Sequence, residues 1–185
     1  CIEQEWRDFV LVGHSMGGIV ASIFTAAFGE LVRGLICIDA GGPLTLPASQ
    51  STEQLRAAVM SRVPKAKRRI PVDLEAAIAA RCKVSDIPEH HARRILQRNI
   101  GQDENGQYIW RSDSRLRTKS TLRLTDEQAE DFMRNIDCPT CFVGATKSFK
   151  QVEHVYEKRQ SWVKSSQLVM LEGGHHIHME RPKDV

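Results

Sequence analysis

The sequence has no apolar stretch approaching the roughly 18 residues that span a bilayer, which excludes an integral membrane helix. It has no disulfide framework either. Its cysteines (Cys1, Cys37, Cys82, Cys138 and Cys141) are odd in number and irregularly spaced, which favours reduced thiols in an intracellular, cytoplasmic protein, with peroxisomal or vesicular placement as the alternatives. Cys138-Pro139-Thr140-Cys141 spells CxxC, but no second CxxC completes a zinc site, so the segment is expected to be the entrance of a strand. Aromatic residues make up only 6% of the chain, and none interleaves the one dense basic run, Lys65 to Arg69. Base stacking on nucleic acid is therefore not expected.

What is present is an ordinary globular composition, 41% hydrophobic and 26% charged, long enough for a proper core. The net charge of +3 is unevenly spread, with sixteen Lys and Arg against eight Asp and Glu between Gln50 and Thr125. Scattered as they are, these charges suit solvated helix faces. The chain starts at Cys1 rather than Met, and Pro182-Lys183-Asp184 resembles a helix start at the other end, so the sequence is expected to be a piece cut at both ends.

Texture divides the chain into three. Residues 1–43 alternate apolar runs with a helix: a strand at Phe9 to Val12, a helix over Met16 to Phe28, and a strand at Leu35 to Ile38. Such runs imply parallel pairing with both faces covered. Residues 44–137 show helical spacing over Ser51 to Met60, Val72 to Lys83, Pro88 to Asn99 and Thr125 to Ile136, which predicts a helical insertion with almost no strand. Gly101 to Gly106 suits a polar turn there. Residues 138–185 return to the first texture, with a strand at Cys141 to Gly144, a helix over Gln151 to Trp162 and a strand at Gln167 to Leu171.

The chemistry centres on Gly13-His14-Ser15-Met16-Gly17, between an apolar strand and a helix. This pattern predicts a nucleophile elbow, a turn so sharp that small residues are needed two places either side, here Gly13 and Gly17. The turn would lift the Ser15 hydroxyl from the sheet edge and aim the Met16 amide at a developing oxyanion. A capping serine in a glycine-rich turn is the bland alternative. A serine nucleophile needs a base. His14 sits in the elbow with its side chain turned away, and His90, His91 and His154 fall on polar helices, which leaves Gly173-Gly174-His175-His176-Ile177-His178-Met179-Glu180-Arg181-Pro182. Histidines 175, 176 and 178 could instead ligate a metal. Neighbouring histidines on an extended loop point different ways, so neither a metal nor a cofactor is expected.

The GHSMGG elbow, the Leu35 to Pro43 strand and loop, and the GGHHIHMERP ending together resemble the α/β-hydrolase superfamily. With Tyr108-Ile109-Trp110-Arg111-Ser112-Asp113-Ser114-Arg115-Leu116, they are similar to its serine hydrolase-like (kraken-like) group. The resemblance implies an α/β fold, the C-terminal part of a mostly parallel sheet flanked by helices, with 44–137 as a helical cap. It implies a carboxylic ester hydrolase acting on a small-molecule acyl substrate, with Ser15 as nucleophile and Met16 as an oxyanion donor. His175 is expected to be the base in preference to His176, and His14 and Trp110 are expected to be substrate contacts. The second oxyanion donor normally lies upstream of the elbow, so this chain alone is expected to be inactive. Ser15 argues against epoxide or halide chemistry, which uses a carboxylate nucleophile in this superfamily.

The triad acid is less direct. The loop Ala145-Thr146-Lys147-Ser148-Phe149 lacks the carboxylate that many members carry. The resemblance implies that Asp39, just after the preceding core strand, can reach the histidine from an alternative position; it can instead serve only to hold its loop, and Glu153 is a distant substitute. The missing loop carboxylate also motivates the alternative of a non-catalytic binding protein on this fold.

Overall fold

The computed structural model describes residues 3–63, 73–84, 87–148 and 151–185. The Lys65 to Arg69 run, the Val72 helix start, Cys1 and the Glu153 and His154 side chains lie outside the described residues. Two compact units are formed, Cys1–Ala48 with Arg123–Val185, and Ser49–Leu122.

In the first unit, strand β1 (Phe9–His14) is followed by helix α1 (Met16–Ala27) and strand β2 (Val32–Ile38). Gly18, Ala21, Ser22 and Thr25 form the buried stripe of α1, the spacing of a helix with one face on a sheet. The second unit holds α2 (Ser51–Arg62), α3 (Leu74–Val84), α4 (Glu89–Asn99), and the short strands β3 (Ile100–Gln102) and β4 (Tyr108–Trp110). The first unit resumes with α5 (Asp126–Arg134), β5 (Thr140–Ala145), α6 (Gln151–Gln160), β6 (Ser166–Leu171) and the single turn α7 (Ile177–Glu180). Among the described residues, no helix is long and apolar enough to cross a membrane.

The strand order β1-β2-β5-β6 is wholly parallel, with Gly13 beside Cys37, Cys37 beside Phe142 and Phe142 beside Leu168. One face packs Leu35, Cys37 and Phe142 with Met133, Tyr156 and Trp162; the other packs Ile38, Val143 and Ala145 with Ile177. Burial pushes the Cys37 thiol up to about 12, so it is packing material and no thiolate. Cys37, Cys82, Cys138 and Cys141 are all free thiols.

Three expectations change. Val10 and Val12 on β1 are exposed, and among the described residues no helix covers that face. The fourth helix of the expected insertion, α5, contacts α1 and shares its core through Ala129 and Met133, so the second unit is narrower than 44–137. A capping box starts α5: Gln128 donates its N–H to the Thr125 hydroxyl, and the Gln128 side chain accepts from the Thr125 N–H. Finally, the second unit is not wholly helical, since β3 and β4 pair antiparallel across an Asp103 to Gln107 turn.

The elbow also differs from expectation in where it is tight. A Cβ at Gly13 would lie 2.4 Å from the Gly17 carbonyl oxygen, and one at Gly18 would lie 2.6 Å from the Ala40 Cβ, whereas one at Gly17 would meet nothing within 4 Å. The close approaches are at Gly13 and Gly18, because the helix turns its second residue outward and its third toward β2.

Candidate active site

Parallel strands end at one edge, and loops leaving that edge form a crevice. Each of the four strands places a part of the site there. Ser15 follows β1, Asp39 follows β2, Ser148 lies just beyond β5 and His175 lies just beyond β6.

Ser15 has φ 54° and ψ −121°, left-handed backbone that a side chain rarely adopts. Its amide donates to the Ile38 carbonyl at 2.9 Å, and its carbonyl accepts from Gly18 and Ile19. The strained turn is thus tied to β2 on one side and to α1 on the other. Ser15 stands at the N-cap of α1, yet its side chain makes no capping bond. The capping-serine alternative therefore has no support here. Met16 opens the helix, where backbone N–H groups have no intrahelical acceptor.

Asp39 is also left-handed, at φ 45°, and only 4% exposed. Its amide is fixed to the Val143 carbonyl at 2.7 Å. Its carboxylate accepts from the Ala145 N–H and the Tyr156 hydroxyl, each at 3.4 Å, from the Ser148 hydroxyl, and from His175 Nδ1–H at 2.5 Å. A buried carboxylate needs such partners. Burial and the Asp39 charge push the Tyr156 hydroxyl well above its usual range, so it remains a donor.

The structure brings His175, and not His176, to Asp39. With Nδ1–H donated to the carboxylate, Nε2 is left as the acceptor nitrogen. Gly174 donates its N–H to the Glu180 carboxylate at 3.0 Å, which ties the histidine loop to α7. Ser15, Asp39 and His175 all line one cavity of about 410 Å³, within the range of small-molecule sites. Leu44 and Val155 give it apolar wall. Arg159, 4% exposed, lines it too and donates to the Pro43 carbonyl at 2.5 Å, holding the loop after Asp39. Burial lowers its pKa, an effect that Asp126 opposes.

The two expected substrate contacts, His14 and Trp110, belong to different units. His14 is not among the residues lining the cavity; its Nε2–H donates to the His175 carbonyl at 2.7 Å. Burial holds its pKa down, partly offset by that bond. Trp110 packs half-buried against the core of the second unit, with Ile100 on the paired strand. The histidines also converge more than an extended loop allows. His176 and His178 are gathered by the turn of α7, and His14 faces both. Sequence reasoning missed Ser148, Tyr156 and Arg159. The polar Ser148 in the loop without a carboxylate was the one available hint.

A family model described as the alpha/beta hydrolase family matches residues 2–185. A serine hydrolase-like protein of Dictyostelium discoideum is 28% identical over 95% of this chain and 53% of its own length. The sn-1-specific diacylglycerol lipase of Mus musculus is 25% identical, over 95% of this chain and 55% of its own. The crystal structure of a hypothetical protein from Pseudomonas aeruginosa superposes with TM-score 0.81 and 33% identity, over 96% of this chain and 63% of that one. The chain spans about half the length of the curated relatives named here.

Proposed function

Since the chain belongs to the alpha/beta hydrolase family, we propose that the protein is a serine hydrolase that cleaves a small ester or related acyl substrate through an acyl-serine intermediate. One observation carries this reading: the Asp39–His175 pair, closed at 2.5 Å, lines the same cavity as a strained Ser15 that does not cap its helix. Asp39, just after β2, would take the part of the absent loop carboxylate.

In this reading His175 Nε2 takes the Ser15 proton as Oγ attacks the substrate carbonyl. The oxyanion is met by the Met16 N–H, and Asp39 stabilises the imidazolium. The imidazolium then protonates the leaving alcohol. Water, deprotonated by the same nitrogen, releases the acid and restores Ser15. The similarity to a diacylglycerol lipase favours an ester substrate.

A fluorophosphonate probe applied to the full-length protein tests the reading. Labelling is expected in the wild type and lost in Ser15→Ala and His175→Ala; absence of labelling in folded wild type would refute it. Ser148→Ala should be milder. It removes one donor from Asp39 while three remain, so kcat should fall about three- to tenfold, the worth of roughly one hydrogen bond. Steady-state hydrolysis of a p-nitrophenyl ester would show the fall in kcat at unchanged KM.

A further inference from the structure

We propose that His14, His176 and His178 form a binding site for a transition-metal dication of the zinc class, beside the Ser15–His175–Asp39 constellation and separate from it. Each residue offers one ring nitrogen, and these nitrogens all lie within 4.8 Å of one another. Ring centroids are 4.2 Å apart for His14 and His178, 5.4 Å for His14 and His176, and 6.0 Å for His176 and His178. Nitrogens bound to one tetrahedral zinc at about 2.0–2.1 Å stand about 3.4 Å apart, so small side-chain rotations close the set.

The supports are rigid on both sides. His14 ends β1, where its neighbour Ser15 is fixed to β2; His176 and His178 are held by α7, whose Ile177 is fully buried. All three residues are half-buried, which limits competition from bulk water. His14 has the outer bond typical of a ligating histidine: one ring nitrogen donates to a backbone carbonyl, so the other carries the lone pair. His175 is excluded from the set because its Nδ1–H is committed to Asp39 and its ring lines the cavity.

The donor chemistry selects the ion. Three imidazoles and no carboxylate suit zinc, cobalt, nickel or copper, and are poor for magnesium or calcium. Three protein ligands leave the fourth position to water.

The experiment reads binding and does not depend on the hydrolase reading. Zn²⁺ and Mg²⁺ are titrated calorimetrically into the full-length apo-protein, and Co²⁺ is followed by its visible d–d absorption. The wild type is expected to bind one Zn²⁺ and no Mg²⁺, and Ser15→Ala to bind as the wild type does. His176→Ala and His178→Ala should each weaken Zn²⁺ binding at least about tenfold. His178→Cys should retain Co²⁺ and add thiolate-to-metal charge-transfer absorption, a signature that also serves if the alanine variants do not fold. Failure of folded wild type to bind Zn²⁺, full-strength binding by folded His178→Ala, or a Co²⁺ spectrum unchanged in His178→Cys would overturn the proposal.

Discussion

Asp39→Asn is expected to lower kcat by about 10⁴-fold, the loss that follows amidation of the aspartate in a Ser-His-Asp triad. The cause is local. An asparagine presents either an oxygen or an NH₂ group to His175 Nδ1, and the NH₂ rotamer forces the proton onto Nε2, leaving no base for Ser15. Even in the other rotamer, no negative charge stabilises the imidazolium. The remaining contacts are forgiving: the Ser148 hydroxyl can turn to accept, and Ala145 N–H and Tyr156 hydroxyl need one oxygen between them. The protein should therefore stay folded, losing about 1–3 kcal/mol. KM should change little, because the lost interaction strengthens only in the transition state. Ester hydrolysis measured beside a thermal melt separates these effects. A variant retaining most of its turnover would remove Asp39 from the catalytic machinery.

The second large effect concerns stability. Gly13→Ala places a methyl 2.4 Å from the Gly17 carbonyl oxygen and 2.5 Å from the Gly17 carbonyl carbon and the Gly18 nitrogen. All three are backbone atoms of the first turn of α1, so the helix must move away from β1. We expect destabilisation by about 3 kcal/mol or more, at the upper end for overpacking. That corresponds to roughly 6–12 °C in Tm for a domain of this size. Gly17→Ala is the contrasting control. Its Cβ meets nothing within 4 Å, so it should be neutral or up to about 1 kcal/mol stabilising. Urea denaturation of the two variants would show the asymmetry, and equal losses would contradict it.

That contrast marks the limit of what the sequence made legible. The elbow was readable because its signal is local, an apolar run, a small residue and a helix start within a dozen positions. Which glycine is tight was not, since Gly18 is crowded by Ala40 from the loop after β2. Asp39 and His175 were readable as candidates from their places after core strands. Ser148 and Tyr156, which hold Asp39 across 109 and 117 residues, carry no periodic mark. Three-residue strands such as β3 and β4 are too short for alternation to show, so a helical texture absorbed them. The end of the chain, expected to be an extended loop with diverging histidines, gained its convergence from the single turn α7.

The strand order also sets when the site can exist. Ser15 and Asp39 become neighbours as soon as one short crossover closes, because β1 and β2 pair with His14 beside Ile38. His175 stands 136 residues from Asp39 and arrives only when β5 has paired with β2, the strand pairing of longest reach and greatest closure entropy, and β6 has paired with β5. A chain in which β6 has yet to pair would expose a strained serine beside a carboxylate with no base between them. In the serine hydrolase reading, Ser15 therefore gains its base only once β6 is in register and the histidine loop beyond it has closed.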